Sequence, residues 1–150
     1  MSEAIIRIAT LDDLEALLPL VQAYRVFYRR EADAQRERAF IESHLRSGSS
    51  QIYIAEVAGE AVGFMQLFPT HSTVRLAPSW ILEDLFVEPE HRKAGIALAL
   101  LQRALEHAKE SGACGMFLET ANDNETAQRV YERAGWTREG RFLKYNAPLA

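Results

Sequence analysis

Residues 85–97 read LFVEPEHRKAGIA and join a hydrophobic strand to a long amphipathic helix through a basic turn. The turn is basic because Arg92 and Lys93 are adjacent, and its small residues, Ala94 and Gly95, let a ligand approach the backbone closely. No Ser, Thr, Asp or Asn is present to cap the helix, so its first N–H groups are expected to be free. Free N–H groups at the positive end of a helix dipole favour an anion. The stretch predicts a phosphate or pyrophosphate site, with an incidental basic turn as the alternative.

Two common phosphate-binding motifs are absent from the chain. The Walker loop requires Gly-x-x-x-x-Gly-Lys-Ser/Thr, and the dinucleotide fingerprint requires Gly-x-Gly-x-x-Gly between a strand and a helix. Neither pattern occurs in the sequence, so both kinds of site are excluded. The pattern that remains in the turn is Arg92-x-x-Gly95-x-Ala97.

This remaining pattern, Arg92-x-x-Gly95-x-Ala97, resembles the acyl-CoA pyrophosphate loop of the GNAT family of N-acetyltransferases, Arg/Gln-x-x-Gly-x-Gly/Ala. A hydrophobic strand over residues 80–87 precedes the loop, as it does in that family. Residues 122–136 carry Asn, Ala, Tyr and Gly-Trp at spacings similar to the family's Asn…Ala…Tyr…Gly-Phe segment. The order of the other predicted elements also matches. The sequence is therefore identified as a member of this family over essentially its whole length.

Length and composition limit the kind of molecule further. The chain has 150 residues, of which 48% are hydrophobic and 25% charged, which fits a single N-acetyltransferase domain over residues 1–150 and excludes disorder. A formal net charge of −4 argues against nucleic acid as a partner. No apolar run reaches the ~20 residues that span a bilayer, and the first residues lack the basic region of a secretory signal. Cys114 is the only cysteine, which favours a reducing cytoplasm.

Hydrophobic periodicity and turn residues predict the elements. Helices are expected over residues 10–27, between the charged connection 29–33 and the stop at 47–50, and over residues 95–111 and 124–134. Strands are expected over residues 4–9, 51–57, 61–68, 80–87 and 114–119, with a loop containing Pro69 and Pro78 and two short final strands within 136–145. The fold class is α/β (α+β) around a mixed sheet. The resemblance implies a sheet splayed between its fourth and fifth strands and flanked by about four helices.

The resemblance implies that acetyl-CoA is the co-substrate and lies where those two strands diverge. The expected contacts with it come from the backbone of the strand and of the turn, namely Leu85, Phe86, Val87, Arg92, Lys93, Ala94, Gly95, Ile96 and Ala97. Asn124, Ala127 and Tyr131 follow helical spacing, and their counterparts in the family face the cofactor. Contacts within the core of a short helix are the alternative role for Ala127 and Tyr131.

Two residues are expected to carry the proton transfers. In the family the hydroxyl of the Tyr131 counterpart lies near the sulfur, and a phenol pKa near ~10 lies above a thiol's ~8.5, so Tyr131 is the expected acid. Glu83 and Asp84 match an acidic pair in the corresponding strand of diamine and polyamine acetyltransferases. By that match Glu83 is the expected base and Asp84 attracts the cationic amine. Because neighbouring strand residues point to opposite faces, at most one is expected to face the acetyl group.

The remaining expectations concern the acceptor and its alternatives. Tyr28 and Glu31, between the first two helices, are expected to border the acceptor pocket, with a core-and-surface turn as the alternative. The four histidines lie far apart in sequence, so no metal is expected. The predicted function is direct acetyl transfer to a primary amine of a small molecule or peptide. The alternatives are a catalytically silent acetyl-CoA-binding regulatory module and a structural interaction domain. The aromatic tail, with Phe142 and Tyr145, permits a homodimer.

Overall fold

The computed structural model describes residues 3–149. The strands in this range are β1 (Ala4–Ile8), β2 (Gln51–Val57), β3 (Glu60–Ser72), β4 (Ala77–Val87) and β5 (Met116–Phe117). The helices are α1 (Leu14–Phe27), α2 (Ala34–Ser47), α3 (Ile96–Glu110) and α4 (Glu125–Arg133). Short 3-10 turns at Leu11–Asp13 and Pro89–His91 precede α1 and follow β4. No helix in the described range is long and apolar enough to cross a membrane.

The helix boundaries follow from local hydrogen bonds. The Asp13 carboxylate accepts from the Thr10 backbone N–H at 2.8 Å, which fixes the entry to α1. The Asp33 carboxylate accepts from the Arg36 N–H at 3.2 Å and caps α2, which ends at Gly48 in the left-handed region at φ 70°. These polar and glycine signals are why the starts and stops of both helices were predictable from the sequence.

The sheet has the order β1-β2-β3-β4-β5. The first four strands are antiparallel to their neighbours, whereas β4 and β5 are parallel and pair only at Trp80 with Met116 and Ile81 with Phe117. Beyond Ile81 the β5-facing edge of β4 has no strand partner among the described residues. The predicted mixed sheet, splayed between its fourth and fifth strands, is confirmed, and the described residues form four α-helices as expected.

Helices cover both faces of the sheet. On one face, α1 and α2 pack against alternate strand residues, including Ile52, Ile54, Phe64 and Phe86. On the other, α3 packs against the sheet, and the Tyr53 hydroxyl of β2 lies 2.8 Å from His107 Nδ1 of α3. The period of two along a strand sends successive side chains to these two separate layers.

Three predicted boundaries differ from the structure. β3 and β4 extend through Pro69 and Pro78, which were expected in a loop, and β5 is shorter than the predicted strand 114–119. The two strands expected within residues 136–145 are absent, because no described residue forms a ladder with that segment. Compact packing divides the chain after Glu119 into two units, so the single domain over 1–150 stays a prediction.

Candidate active site

A cleft of about 850 Å³ opens on the α1–α2 face of the sheet. Its volume falls within the ~300–1,000 Å³ that small-molecule sites usually have. The wall is built by α1, α2, β3 and β4, and its residues are Val21, Tyr24, Arg25, Arg36, Glu37, Ala39, Phe40, Ile41, Ser43, His44, Phe64, Gln66, Phe68, Ile81, Glu83 and Asp84. The cleft is thus a concave surface of aromatic and aliphatic side chains with acids at one strand.

Glu83 and Asp84 both line this cleft, which corrects the expectation that they point to opposite faces. The register shifts in β4: Gln66 pairs with Asp84, whereas Leu67 pairs with Leu82. Glu83 is therefore an extra residue, a β-bulge, and the ordinary alternation is interrupted there. Asp84 consequently lies on the same face as Gln66, and the exposed Glu83 side chain borders the same opening.

The Asp84 carboxylate is held by a buried polar chain. The Ser50 hydroxyl donates to Gln66 Oε1 at 2.8 Å, and Gln66 Nε2 donates to Asp84 Oδ2 at 2.7 Å. Gln66 is only 2% exposed, so both ends of its amide are engaged away from water. Burial raises the pKa of Asp84 above its usual range, more than hydrogen bonds from Gln66 and Tyr24 lower it, and nearby Glu83 raises it further.

Tyr24 closes the inner end of the cleft. Its hydroxyl donates to the Glu83 backbone carbonyl at 3.4 Å, and its ring packs edge-on against Phe64 at 5.6 Å and Phe86 at 6.0 Å. Burial, together with the nearby Asp84 carboxylate, raises the Tyr24 pKa far above that of an ordinary phenol. Tyr24 is therefore a protonated hydrogen-bond donor beside the acid pair, not a base.

The turn after β4 has the features of an anion site. Gly95, the N-cap of α3, is in the left-handed region at φ 81°, and its residue type provides no side-chain cap. Lys93 is also left-handed, at φ 66°. Within residues 3–149 the N–H groups of Lys93, Gly95, Ile96 and Ala97 have no hydrogen-bond acceptor. The Ala94 N–H likewise has no acceptor in this range, so the prediction of free amides at this helix start holds for all five groups, which fit a pyrophosphate.

Arg92 has a different role from the other residues of the turn. Its backbone N–H donates to the Pro89 carbonyl at 3.3 Å, and its Nε donates to the Val87 carbonyl at 2.8 Å. The guanidinium also lies 5.6 Å from the centre of the Phe86 ring. Arg92 therefore ties the turn back onto β4, an internal role that sequence spacing did not indicate.

Residues 120–149 contain the other predicted contacts with the co-substrate. Asn124 is the N-cap of α4, where its Oδ1 accepts from the Ala127 N–H at 3.2 Å. Tyr131, half-buried on α4, has its ring centre 6.5 Å from that of Trp136. Asn124 therefore has a structural task at the start of the helix, which its type and position explain.

Two predicted residues of the acceptor pocket lie outside the cleft wall. Tyr28 is exposed and packs edge-on against Tyr24 at 5.0 Å, so it is one side chain removed from the wall. Glu31 is exposed, and its backbone carbonyl accepts from Arg25 Nη1 at 3.0 Å. Gln66 lines the cleft but was missed; the available signal was a lone amide within the apolar run 61–68.

A metal site is not formed by the residues that the structure describes. No group of three or more His, Cys, Asp or Glu side chains in that range is placed to hold an ion. Cys114, half-buried and unpaired with any other thiol, does not line the cleft.

Known proteins resemble this chain in sequence and in fold. A family model described as the acetyltransferase (GNAT) family matches residues 15–136. The uncharacterized N-acetyltransferase YhfO of Bacillus subtilis (strain 168) is 40% identical over 140 residues, which cover 93% of this chain and 94% of the relative.

Solved structures extend this likeness to the coordinates. The crystal structure of a probable acetyltransferase has a TM-score of 0.93 at 38% identity, covering 97% of this chain and 98% of that one. An aminoglycoside N-acetyltransferase crystallised in complex with CoA has a TM-score of 0.85 at 24% identity, covering 99% of this chain and 97% of that one. The second likeness shows a shared fold.

Proposed function

The chain belongs to the acetyltransferase (GNAT) family and is an acetyl-CoA-dependent N-acetyltransferase, and we propose that its acceptor is a primary amine of a small molecule or peptide. The observation that carries this proposal is the acid pair, Glu83 and Asp84, on the wall of one cleft. Adjacent carboxylates attract a cationic amine, which is the form that an alkylamine takes at neutral pH. We propose that the amine attacks the thioester directly, without an acyl-enzyme; Cys114, the one cysteine of the sequence, is not part of the cleft wall.

The amine must lose a proton before it can react. An alkylammonium with a pKa near ~10.4 has no free electron pair. Asp84 attracts the ammonium, and Glu83 accepts its proton through a water molecule. The exposed Glu83 carboxylate supports this role, since no ion pair with it is found among residues 3–149. The neutral nitrogen then bonds to the acetyl carbon while the carbon–sulfur bond breaks, and the second proton that the nitrogen loses on becoming an amide passes to solvent.

The turn before α3 supports the binding of acetyl-CoA, which supplies the acetyl group as a thioester. The unengaged amides, at Lys93, Ala94, Gly95, Ile96 and Ala97, provide donors for its pyrophosphate. The edge of β4 over Leu85–Val87, which has no strand partner, provides backbone groups for the pantetheine arm, except the Val87 carbonyl, which accepts from Arg92 Nε. The aminoglycoside N-acetyltransferase of similar fold was crystallised with CoA, which is consistent with the same use here.

The sulfur must receive a proton when the bond breaks. We propose that the Tyr131 hydroxyl donates this proton to the thiolate and is then reprotonated by solvent. The support is the match of residues 122–136 to the family segment and the position of Tyr131 on α4, with a half-buried side chain. The products are the N-acetylated amine and free CoA.

Release of free thiol from acetyl-CoA tests the function. The panel contains alkylamines, polyamines, amino acids, aminoglycosides and peptides with free N-termini, and mass spectrometry identifies the acetylated product. Turnover with at least one amine class is expected. Tight acetyl-CoA binding with silence across the panel would contradict the enzyme and favour a regulatory module.

Two variants test the proposed proton transfers in the same assay. Tyr131→Phe and Glu83→Gln are each expected to lower kcat by at least about tenfold. Tyr145→Phe and Glu60→Gln are the matched controls, since both parent side chains are exposed and neither lines the cleft. Unchanged turnover in Tyr131→Phe or in Glu83→Gln would show that this residue does not transfer a proton. The conclusion that the chain is an N-acetyltransferase would be unaffected.

A further inference from the structure

We infer that the acceptor is a monoamine: a primary amine carried by an apolar body with no second charge. This inference rests on the proposed function and concerns the same cleft. The wall offers one place for an ammonium group, at the acid pair on β4, and surrounds the rest of the ligand with aromatic and aliphatic side chains. Polyamines and aminoglycosides, which carry several cations, are therefore disfavoured.

The third acid of the cleft wall is Glu37. Its carboxylate accepts from Arg25 Nη1 at 2.6 Å, from Gln22 Nε2 at 3.3 Å and from the Asp33 backbone N–H at 3.2 Å. The Glu37 side chain is 3% exposed. Because this carboxylate is already buried and paired, it is not available to a second ammonium of the ligand.

The cationic side chains of the wall disfavour a second ammonium further. Arg25 is compensated by Glu37, and Arg36 pairs with Asp33 only at 3.8 Å, with 84% of the Arg36 side chain exposed. Asp33 is not a wall residue. Away from Glu83 and Asp84, the charge of the wall is therefore neutral to positive, which repels a distal cation.

Much of the remaining wall is built from aromatic rings that pack edge-on against one another. His44 packs edge-on against Phe40 at 4.5 Å and against Phe68 at 5.2 Å, and the three side chains form part of the wall. Tyr24 and Phe64 form a second edge-on pair at 5.6 Å. Such surface gains from contact with methylene groups or a ring, and it provides no carboxylate to pair with a second ammonium.

The position of the single ammonium site is fixed by the chain behind it. Gln66, which is 2% exposed, accepts from Ser50 and donates to Asp84 Oδ2 at 2.7 Å. Gln66 on one oxygen and the Tyr24 hydroxyl beside the carboxylate fix the position of this acid at the cleft wall. An anchored acid at one end and edge-on rings along the wall match an amine at one end of an apolar chain.

Three acceptors of equal chain length test the inference: hexylamine, 1,6-diaminohexane and 6-aminohexanoate. They differ only in a terminal methyl, ammonium or carboxylate group. We expect kcat/KM for hexylamine to exceed that for the diamine by at least about tenfold. A higher kcat/KM for the diamine would overturn the inference. So would a tenfold preference for 6-aminohexanoate, because Arg36 would then act as a carboxylate receptor.

A variant provides a second measurement on the same series. Phe40 is 54% exposed, so Phe40→Glu places a carboxylate on the wall with little risk to folding. The ratio of kcat/KM for diamine over hexylamine is expected to rise at least about tenfold in this variant. Val74→Glu adds the same charge at a residue that is 96% exposed and outside the wall, and the ratio is expected to stay constant. Equal ratios in parent and Phe40→Glu would contradict the inference.

Failure of this inference is distinguishable from failure of the proposed function. If aminoglycosides, polyamines or peptides release thiol while hexylamine does not, the chain is an N-acetyltransferase and the monoamine inference is wrong. If no amine of any class releases thiol although acetyl-CoA binds, the proposed function itself is wrong.

Discussion

Asp84 is the residue at which ligand binding and folding oppose each other. Its carboxyl is half-buried beside Tyr24 and Gln66, and the loss of water around it raises its pKa above the usual range. An acid with a raised native pKa ionises at a cost in stability, whereas the same negative charge is what attracts a cationic amine. The position therefore serves the proposed acceptor and not the stability of the fold.

Replacing Asp84 by Asn is expected to stabilise the protein at pH 7. Below the ordinary Asp pKa of about 4, both folded and unfolded states hold the proton. As the pH rises above that value the unfolded state releases its proton first, so the parent loses stability until the native carboxyl also ionises. The variant has no such loss. Its gain in unfolding free energy at pH 7 is expected to exceed about 0.5 kcal/mol, the usual range for surface substitutions.

Urea unfolding at pH 3 and pH 7 measures this difference. Asn retains an oxygen that accepts from Gln66 Nε2, so the buried hydrogen bond is preserved. Glu60→Gln, at the exposed first residue of β3, is the control. A less stable Asp84→Asn protein at pH 7, or a gain equal at both pH values, would refute the argument.

The sequence identified the acid pair but not its geometry. Glu83 and Asp84 are the two charged residues of an apolar strand, so the acid pair can be recognised from the sequence alone. The bulge at Glu83 is a property of pairing between two strands, so the strand's own sequence does not contain it. Gln66 escaped notice for the same reason, since its partner Asp84 is defined only by the register.

At the scale of elements, the ends of helices are predictable from the sequence, whereas the lengths of strands are not. Gly48 and Gly95 lie in the left-handed region at the boundaries of α2 and α3, where glycine is the residue with least strain. Pro69 predicts the end of a strand, because prolines usually end strands, but β3 continues past it to Ser72. Gln51, the first residue of β2, pairs with Leu67 of β3. Residues 68–72 of β3 therefore have a strand partner on one side only, which is β4. A proline whose missing N–H faces the open side removes nothing from the ladder.

Gly63 is expected to be the least replaceable glycine in the sheet. A Cβ placed there would lie 2.8 Å from the Phe86 carbonyl oxygen and 3.3 Å from Val87 Cγ2. Because the nearest obstacle is backbone, β4 has to move, and such overpacking costs about 1–3 kcal/mol. The midpoint of urea unfolding for Gly63→Ala is expected to fall accordingly.

Gly140→Ala is the matched comparison, because a Cβ at Gly140 meets nothing within 4 Å. Its midpoint is expected to lie close to that of the parent. Similar midpoints for the two variants would show that β3 and β4 have more room at this crossing than the distances indicate.

At the scale of the whole molecule, ligand binding should be visible as stability. A ligand at ~100 times its dissociation constant adds about 2.7 kcal/mol to the folded state. In a chain of 150 residues each kcal/mol corresponds to about 2–4 °C, so acetyl-CoA should raise the melting temperature by about 5–10 °C. Scanning calorimetry is expected to show one transition with equal calorimetric and van't Hoff enthalpies, as a single domain over 1–150 requires.

Pantetheine is the control ligand, because it lacks the pyrophosphate that the amides of Lys93, Gly95, Ile96 and Ala97 are proposed to bind. At the same concentration it is expected to shift the transition much less than acetyl-CoA. Equal shifts would count against the turn as the phosphate site. Two separate transitions would instead show that the chain unfolds in parts.

The family and its architecture were predictable because they depend on repeated, local signals distributed along the chain. The unusual turn Arg92-x-x-Gly95-x-Ala97 and the amphipathic residues of α3 are examples. The internal use of Arg92, with its Nε on the Val87 carbonyl, was not predictable. A guanidinium has several equivalent donors, and which acceptor it meets is decided by the three-dimensional path of the backbone.

The bulge at Glu83 gives β4 one more residue than the stretch of β3 with which it pairs. Leu67 pairs with Leu82 and Gln66 with Asp84, so a chain without residue 83 would continue the ladder with no change of face on either side of the gap. Elsewhere in the strand, loss of one residue would turn every following side chain over. Glu83, the acid at the opening of the cleft, is thus the one residue of β4 that the strand pairing does not require. Its insertion or deletion would change the charge of the cleft and leave the rest of the sheet in register.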